Sequence, residues 1–120
     1  MRKMAEWYMP VRTVSEANRA NEHWAIKHKR HNAQKLQVRS AFNEHMPKFA
    51  FPCHVKMTRI SPRSLDFDNL VSSFKWVRDE VGAKLTGNNT PGRGDGDERI
   101  TWEYCQEKGN PQAIRLEIFS

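Results

Sequence analysis

A chain of 120 residues, 38% hydrophobic and 28% charged, is polar but foldable, and its four Trp, six Phe and two Tyr can anchor a core. Its longest apolar stretches, such as Phe49-Ala50-Phe51, fall far short of the roughly 20 residues needed to span a bilayer. No apolar run follows the basic start Met1-Arg2-Lys3, so neither a secreted nor a membrane-embedded protein is expected, and residues 1–120 read as a single domain.

The net charge of +6 is unevenly spread. Residues 1–64 carry thirteen Lys and Arg against four acids, a balance of +9, and residues 65–120 carry seven against ten, a balance of −3. A basic half points to a polyanion, most simply nucleic acid. Carboxylates in the other half repel phosphate unless a metal ion lies between them. Uneven solvation charge is the plainer alternative. Cys53 and Cys105 stand far apart with no C-x-x-C partner, which fits the reducing cytoplasm and indicates no disulfide framework.

Glu6–Val11 reads as a first strand, stopped near Pro10. The better helical part of the polar stretch that follows runs from about Glu22 to His45 and ends before Pro47. Lys27, Lys29, Arg30 and Lys35 crowd there with His28 and His31, so much of this segment faces water or phosphate. Cys53, Val55 and Met57 alternate with His54, Lys56 and Thr58 as a half-buried strand, broken at Ser61-Pro62-Arg63. Phe67 to about Leu85 predicts a helix, with Leu70, Phe74, Val77, Val81 and Leu85 on one apolar face. Gly87–Gly96 is a glycine-rich loop. Ile100, Trp102 and Tyr104 mark another strand, Lys108-Gly109-Asn110-Pro111 a turn, and Ile114, Leu116 and Ile118 a closing strand. The expected class is α/β: a small mixed sheet of about four strands with two main helices, the last two strands forming an antiparallel hairpin.

The candidate chemistry opens the second helix. At about 100° per residue, Asp68, Lys75 and Asp79 fall within about 40° of one another, opposite the apolar stripe. Asp66 stands just ahead of the first turn, and carboxylates two residues apart at a helix entrance can converge on a hard divalent cation. Each residue also has a plainer role. Asp66 or Asp68 can simply cap the helix, Lys75 and Asp79 can form a solvated ion pair, and Asp95 and Asp97 can be turn residues between glycines. A zinc site from His28, His31, Cys53 and His54 is a weak reading, since histidines in a basic helix more often face solvent or phosphate. An EF-hand reading fails because Val71 stands where the loop glycine belongs.

Asp66-Phe67-Asp68-Asn69-Leu70 resembles the D-x-D-N-L element of the RusA family of Holliday junction resolvases. In that family the element is followed by a helical Lys, an Asp four residues later, and a glycine-containing loop with an acidic pair before a strand. Lys75, Asp79 and Asp95-Gly96-Asp97-Glu98-Arg99-Ile100 follow here in that order. Asn21-Glu22-His23-Trp24, ahead of the basic helix, resembles the family's N-x-x-W region. The resemblance covers most of residues 18–119 and is similar to a phage or prophage branch. Two departures stand out: Lys75 follows Asp68 by seven residues rather than four, and the acidic pair is split by Gly96.

The resemblance implies a RusA-like fold and a homodimeric, Mg²⁺-dependent endodeoxyribonuclease, with Mn²⁺ as a substitute metal. The substrate would be branched DNA, a four-way junction cut by paired symmetric nicks, in a bacterial host's cytoplasm if the chain is phage-derived. Asp66, Asp68 and a loop acid would hold the metal. The branch pattern favours Asp95, whereas counting back from Ile100 and closeness to the strand favour Asp97. Lys75 would meet phosphate charge, and Lys27, Lys29, Arg30, Lys35, Arg59 and Arg63 would contact DNA. The alternative is a catalytically degenerate protein that recognises branched DNA without cutting it.

Overall fold

The computed structural model describes residues 1–16, 21–88 and 96–120. Along the chain run β1 (Lys3–Met9), α1 (Trp24–Glu44), β2 (Cys53–Ser61), α2 (Phe67–Ser73), α3 (Lys75–Thr86), β3 (Ile100–Lys108) and β4 (Ala113–Phe119). They build an α/β fold around one four-stranded mixed sheet of order β1-β4-β2-β3. β4 pairs antiparallel with both β1 and β2, while β2 and β3 run parallel, Cys53 opposite Ile100 and Ser61 opposite Lys108. Parallel neighbours need a crossover, which α2 and α3 provide.

The expected hairpin of the last two strands is therefore not formed: β2 lies between β3 and β4. A tight turn joins strands about 4.8 Å apart, but residues 109–112 must step over one strand, roughly twice that distance. Gly109 makes the step close against β2, its N–H donating to the Ser61 carbonyl at 3.1 Å. A Cβ at Gly109 would meet Ile60 Cγ2 at 2.9 Å. Because that methyl is on a branched side chain with little freedom, Gly109→Ala is expected to cost about 1 kcal/mol. A urea midpoint unchanged from the parent would show that the crossing has slack.

Alternation divides the sheet into two faces. On one, Met9, Val55, Met57, Ile100, Ile114, Leu116 and Ile118 are buried against Val38 and Phe42 of α1 and against Leu70, Phe74, Val77, Val81 and Leu85 of α2 and α3. Trp7 of β1 meets the Phe42 ring at 4.8 Å, and Tyr104 of β3 meets Phe74 at 6.1 Å. The opposite face carries paired polar side chains: Lys3 with Glu117 at 2.8 Å, His54 with Glu103 at 2.8 Å, and Arg115 with Glu107 at 2.7 Å.

The single helix expected over Phe67–Leu85 is two helices. At Phe74 the backbone leaves helical geometry (φ −97°, ψ 2°), and its N–H reaches back only three residues to Val71 O at 3.1 Å. Ser73 Oγ bonds the Leu70 carbonyl at 2.7 Å, a local competitor for the helical ladder. The wheel drawn through Asp68, Lys75 and Asp79 breaks at this point. Asp79 accordingly does not share an open face with Asp68; it is buried in α3 beside Glu80, which pairs with Arg39 of α1. Gly87, in the left-handed region at φ 75°, closes α3 as its N–H bonds Ala83 O at 2.8 Å. Among the described residues no helix is long and apolar enough to cross a membrane.

Candidate functional site

Where β2 ends, the chain turns through Pro62–Leu65 into α2. Leu65 is clamped to β3 from both sides: its N–H donates to Gln106 Oε1 at 2.9 Å, and Gln106 Nε2 donates to its carbonyl at 2.7 Å. This fixes the backbone just ahead of Asp66. Asp66 is the N-cap, one carboxylate oxygen accepting the Asn69 N–H at 2.9 Å, so the capping role is real. Asp68 sits exposed in the first turn. Among the described residues, one oxygen of Asp66 and both of Asp68 are left for other work. Among the described residues no three His, Cys, Asp or Glu gather into a metal-holding group. A pair of carboxylates still matches how Mg²⁺ is often held, with substrate phosphate and water completing the shell.

Beside this entrance lies a half-open cleft of about 330 Å³, walled by residues 12–15 on one side and by Arg59, Ser61, Arg63 and Leu65 on the other. The segment after β1 is anchored by Gln34, buried in α1, whose Nε2 donates to the Arg12 carbonyl at 3.1 Å. Ser15 Oγ donates to Asn69 Oδ1, tying the cleft wall directly to the D-x-D-N-L segment. Arg59 lies on the inward row of β2 after Cys53, Val55 and Met57 and is only 7% exposed. Its Nη1 donates to the Arg63 carbonyl at 2.8 Å, while its buried Nε has no partner among the described residues. Burial, and then the neighbouring Arg12, pull its pKa below the usual guanidinium value.

The remaining candidates scatter. Asp97 precedes β3, at the end of the sheet where Cys53 begins β2. Gln106, the partner of Leu65, is six residues further along β3 than Ile100, so about 20 Å separates Asp97 from the Asp66 entrance. Asp97 therefore does not complete a three-carboxylate cluster with Asp66 and Asp68 in one chain, and it is engaged with Arg99 at 2.7 and 3.0 Å. Asp95 lies outside the described residues. Lys75 opens α3, exposed, its ammonium 5.0 Å from the Trp76 ring centroid; Lys35 lies 5.1 Å from the same ring. Arg30 is taken up by Glu16, at 2.8 Å, and by Glu22, which fits it poorly for DNA contact. Lys29 is exposed on α1 and Lys27 partly so.

Arg99 hydrogen bonds, from side chain and then backbone, hold the Asp97 carboxyl at about 2, below its ordinary 3.8. The folded value is depressed, so the pair's small stabilising effect is complete above pH 3.8 and disappears as the pH falls through about 2. An NMR titration of the Asp97 carboxyl carbon is expected to show a midpoint near 2. Arg99→Gln should return it toward 3.8; a parent midpoint already at the ordinary value would mean that the pair is not formed in solution.

Arg12, Thr13 and Ser15 were marked by nothing local in the sequence, since they belong to no motif or periodic run. Arg59 did have a signal: the period-two row Cys53, Val55, Met57 places it on the buried face. In comparisons with known proteins, no family model, no curated protein and no solved structure matches the chain.

Proposed function

We propose that the chain is a Mg²⁺-dependent, structure-selective endodeoxyribonuclease that resolves four-way DNA junctions by paired nicks, as a homodimer, in the manner of the RusA family that it resembles. The observation supporting this reading is the adjacency of an acid pair and an arginine-lined cleft, joined through the Ser15–Asn69 hydrogen bond. Phosphodiester cleavage by metal needs both: carboxylates for the cation and cationic donors for the phosphate oxygens.

Asp66 and Asp68 would hold the metal, which when bound supplies water activation and charge neutralisation at phosphorus. Arg59 and Arg63 would fix a phosphate beside it. Lys75, Lys35, Lys29 and Lys27 lie on α1 and the start of α3 and would carry flanking DNA arms, making affinity fall steeply with salt. A junction has near-twofold symmetry, which two sites in a C₂ dimer would match. The two cysteines, both free, suit a reducing cytoplasm.

One observation favours a second reading, a DNA-binding protein without cleavage: Asp97 is committed to Arg99 far from the acid pair. Incubating the protein with a labelled four-way junction, a duplex and a single strand, each with Mg²⁺ or with chelator, decides between them. The nuclease nicks the junction only with metal. The binding protein retards the junction in a gel and cuts nothing, and failure to bind any of the three defeats both readings.

A further inference from the structure

A guanidinium is among the costliest groups to bury without a counter-ion, and natural cores almost always give one a carboxylate. Arg59 breaks that rule. It is 7% exposed, and its hydrogen-bond partner among the described residues is a neutral carbonyl, that of Arg63. Its Nε is buried with no acceptor among the described residues. The charge that acts on it is another cation, Arg12, and among the described residues no carboxylate lines the cleft. Three arginines thus border one half-open space of about 330 Å³, together with the buried hydroxyl residues Thr13, Ser15 and Ser61. By size the space suits a phosphate group with the sugar attached to it, not a base-paired duplex.

We propose that this cleft is a seat for one phosphate group, gripped by Arg59 with Arg12 and Arg63. An anion with several acceptor oxygens supplies what the cleft lacks: a charge for the buried guanidinium and an acceptor for Nε. Arginine's planar fork matches phosphate oxygens in pairs, which a lysine would not do. The seat deepens the nucleic-acid reading and rests on it for its natural ligand, either an internal phosphodiester or a terminal phosphate monoester. Phosphate capture itself requires neither metal nor cleavage.

A seat of this kind trades stability for binding. Arg59→Gln removes an uncompensated buried charge, so that variant is expected to melt at or above the parent temperature in phosphate-free buffer. Inorganic phosphate should reverse the order. At a hundredfold excess over Kd it is expected to raise the parent's Tm by about 10 °C. The same titration should leave Arg59→Gln nearly unmoved.

The experiment titrates inorganic phosphate, at constant ionic strength and with chelator, into the full chain and into Arg59→Gln, Arg12→Gln and Asp68→Asn, reading Tm and heat of binding. The seat predicts at least tenfold weaker binding for Arg59→Gln, weaker binding for Arg12→Gln, and parent-like or tighter binding for Asp68→Asn. Arg12 is exposed on the cleft wall, so its variant still tests the seat if Arg59→Gln fails to fold. Phosphate that stabilises the parent and both arginine variants equally, or none of them, overturns the proposal. Short single strands with and without a 5′-phosphate identify the source. Displacement of inorganic phosphate by both assigns an internal diester and by the phosphorylated strand alone a terminal monoester; displacement by neither overturns a nucleic-acid seat. Phosphate binding in a protein that never cuts a junction leaves the seat standing and defeats the nuclease reading. Metal-dependent cutting unchanged in Arg59→Gln, with no phosphate effect, does the reverse.

Discussion

Asp68→Asn is expected to lower the rate of metal-dependent junction cleavage by about 100-fold or more while the variant still retards the junction in a gel. The side chain is exposed in the first turn of α2, so the substitution removes a negative charge, and on the proposed reading an oxygen ligand, without opening the core. Binding should hold or tighten, because one source of repulsion for the DNA backbone disappears. Asp97→Asn serves as the contrast. Its carboxylate pairs with Arg99 at the far end of β3, and cleavage at the parent rate is expected. Equal loss of activity in both variants would contradict the separation seen along the sheet. Circular dichroism on Asp68→Asn must also match the parent, since a misfolded variant would leave its charge effect unread.

Phe74→Ala should be the most damaging single change to the fold, costing about 3–5 kcal/mol. Phe74 is fully buried at the junction of α2 and α3, its ring against Tyr104 of β3. It fills the space that opens where the helix breaks, so truncation leaves a cavity that neither short helix can collapse into. Phe67 offers a control of the same chemistry. It is 65% exposed at the start of α2, and Phe67→Ala is expected to cost no more than about 1 kcal/mol. Urea unfolding of the two variants checks the contrast, and equal midpoints would mean that the break at Phe74 is not packed as described.

The sheet was legible wherever alternation carried it. Cys53, Val55 and Met57, and likewise Ile114, Leu116 and Ile118, point inward as their spacing implies. Strand order was not, because nothing near Lys108–Pro111 encodes that β2 occupies the place between the strands it joins. That information resides in the close approach of Gly109 to Ser61, nearly fifty residues away in sequence. The helix break at Phe74 was hidden for a related reason: the apolar stripe continues across it, and a helical wheel cannot register a break of one residue. Asp66 and Asp68 were visible through their motif, and the structure keeps them together at the α2 entrance. The cleft was only half visible, since Arg59 sits in a readable row whereas Arg12 and Ser15 come from a segment without periodicity. The charge split also overstated α1, where Arg30 faces Glu16 and Glu22 instead of solvent.

The placement of β4 also bears on how the protein comes to be made. β4 is bonded on both flanks, to β1 and to β2, yet it follows every other element along the chain. On the ribosome, β1 emerges well before β4, and among the described strands it has none to pair with until residues 113–119 have been polymerised. Trp7 and Met9 then wait uncovered, and β2 can recruit only β3, through a long loop closure whose entropy must be met before any ladder forms. Such nascent chains expose unpaired edges and apolar side chains throughout elongation. A chain halted after β3 but before Ala113 would thus display an open, adhesive half-sheet, and holdase chaperones would find their targets in residues 3–9 and 53–61.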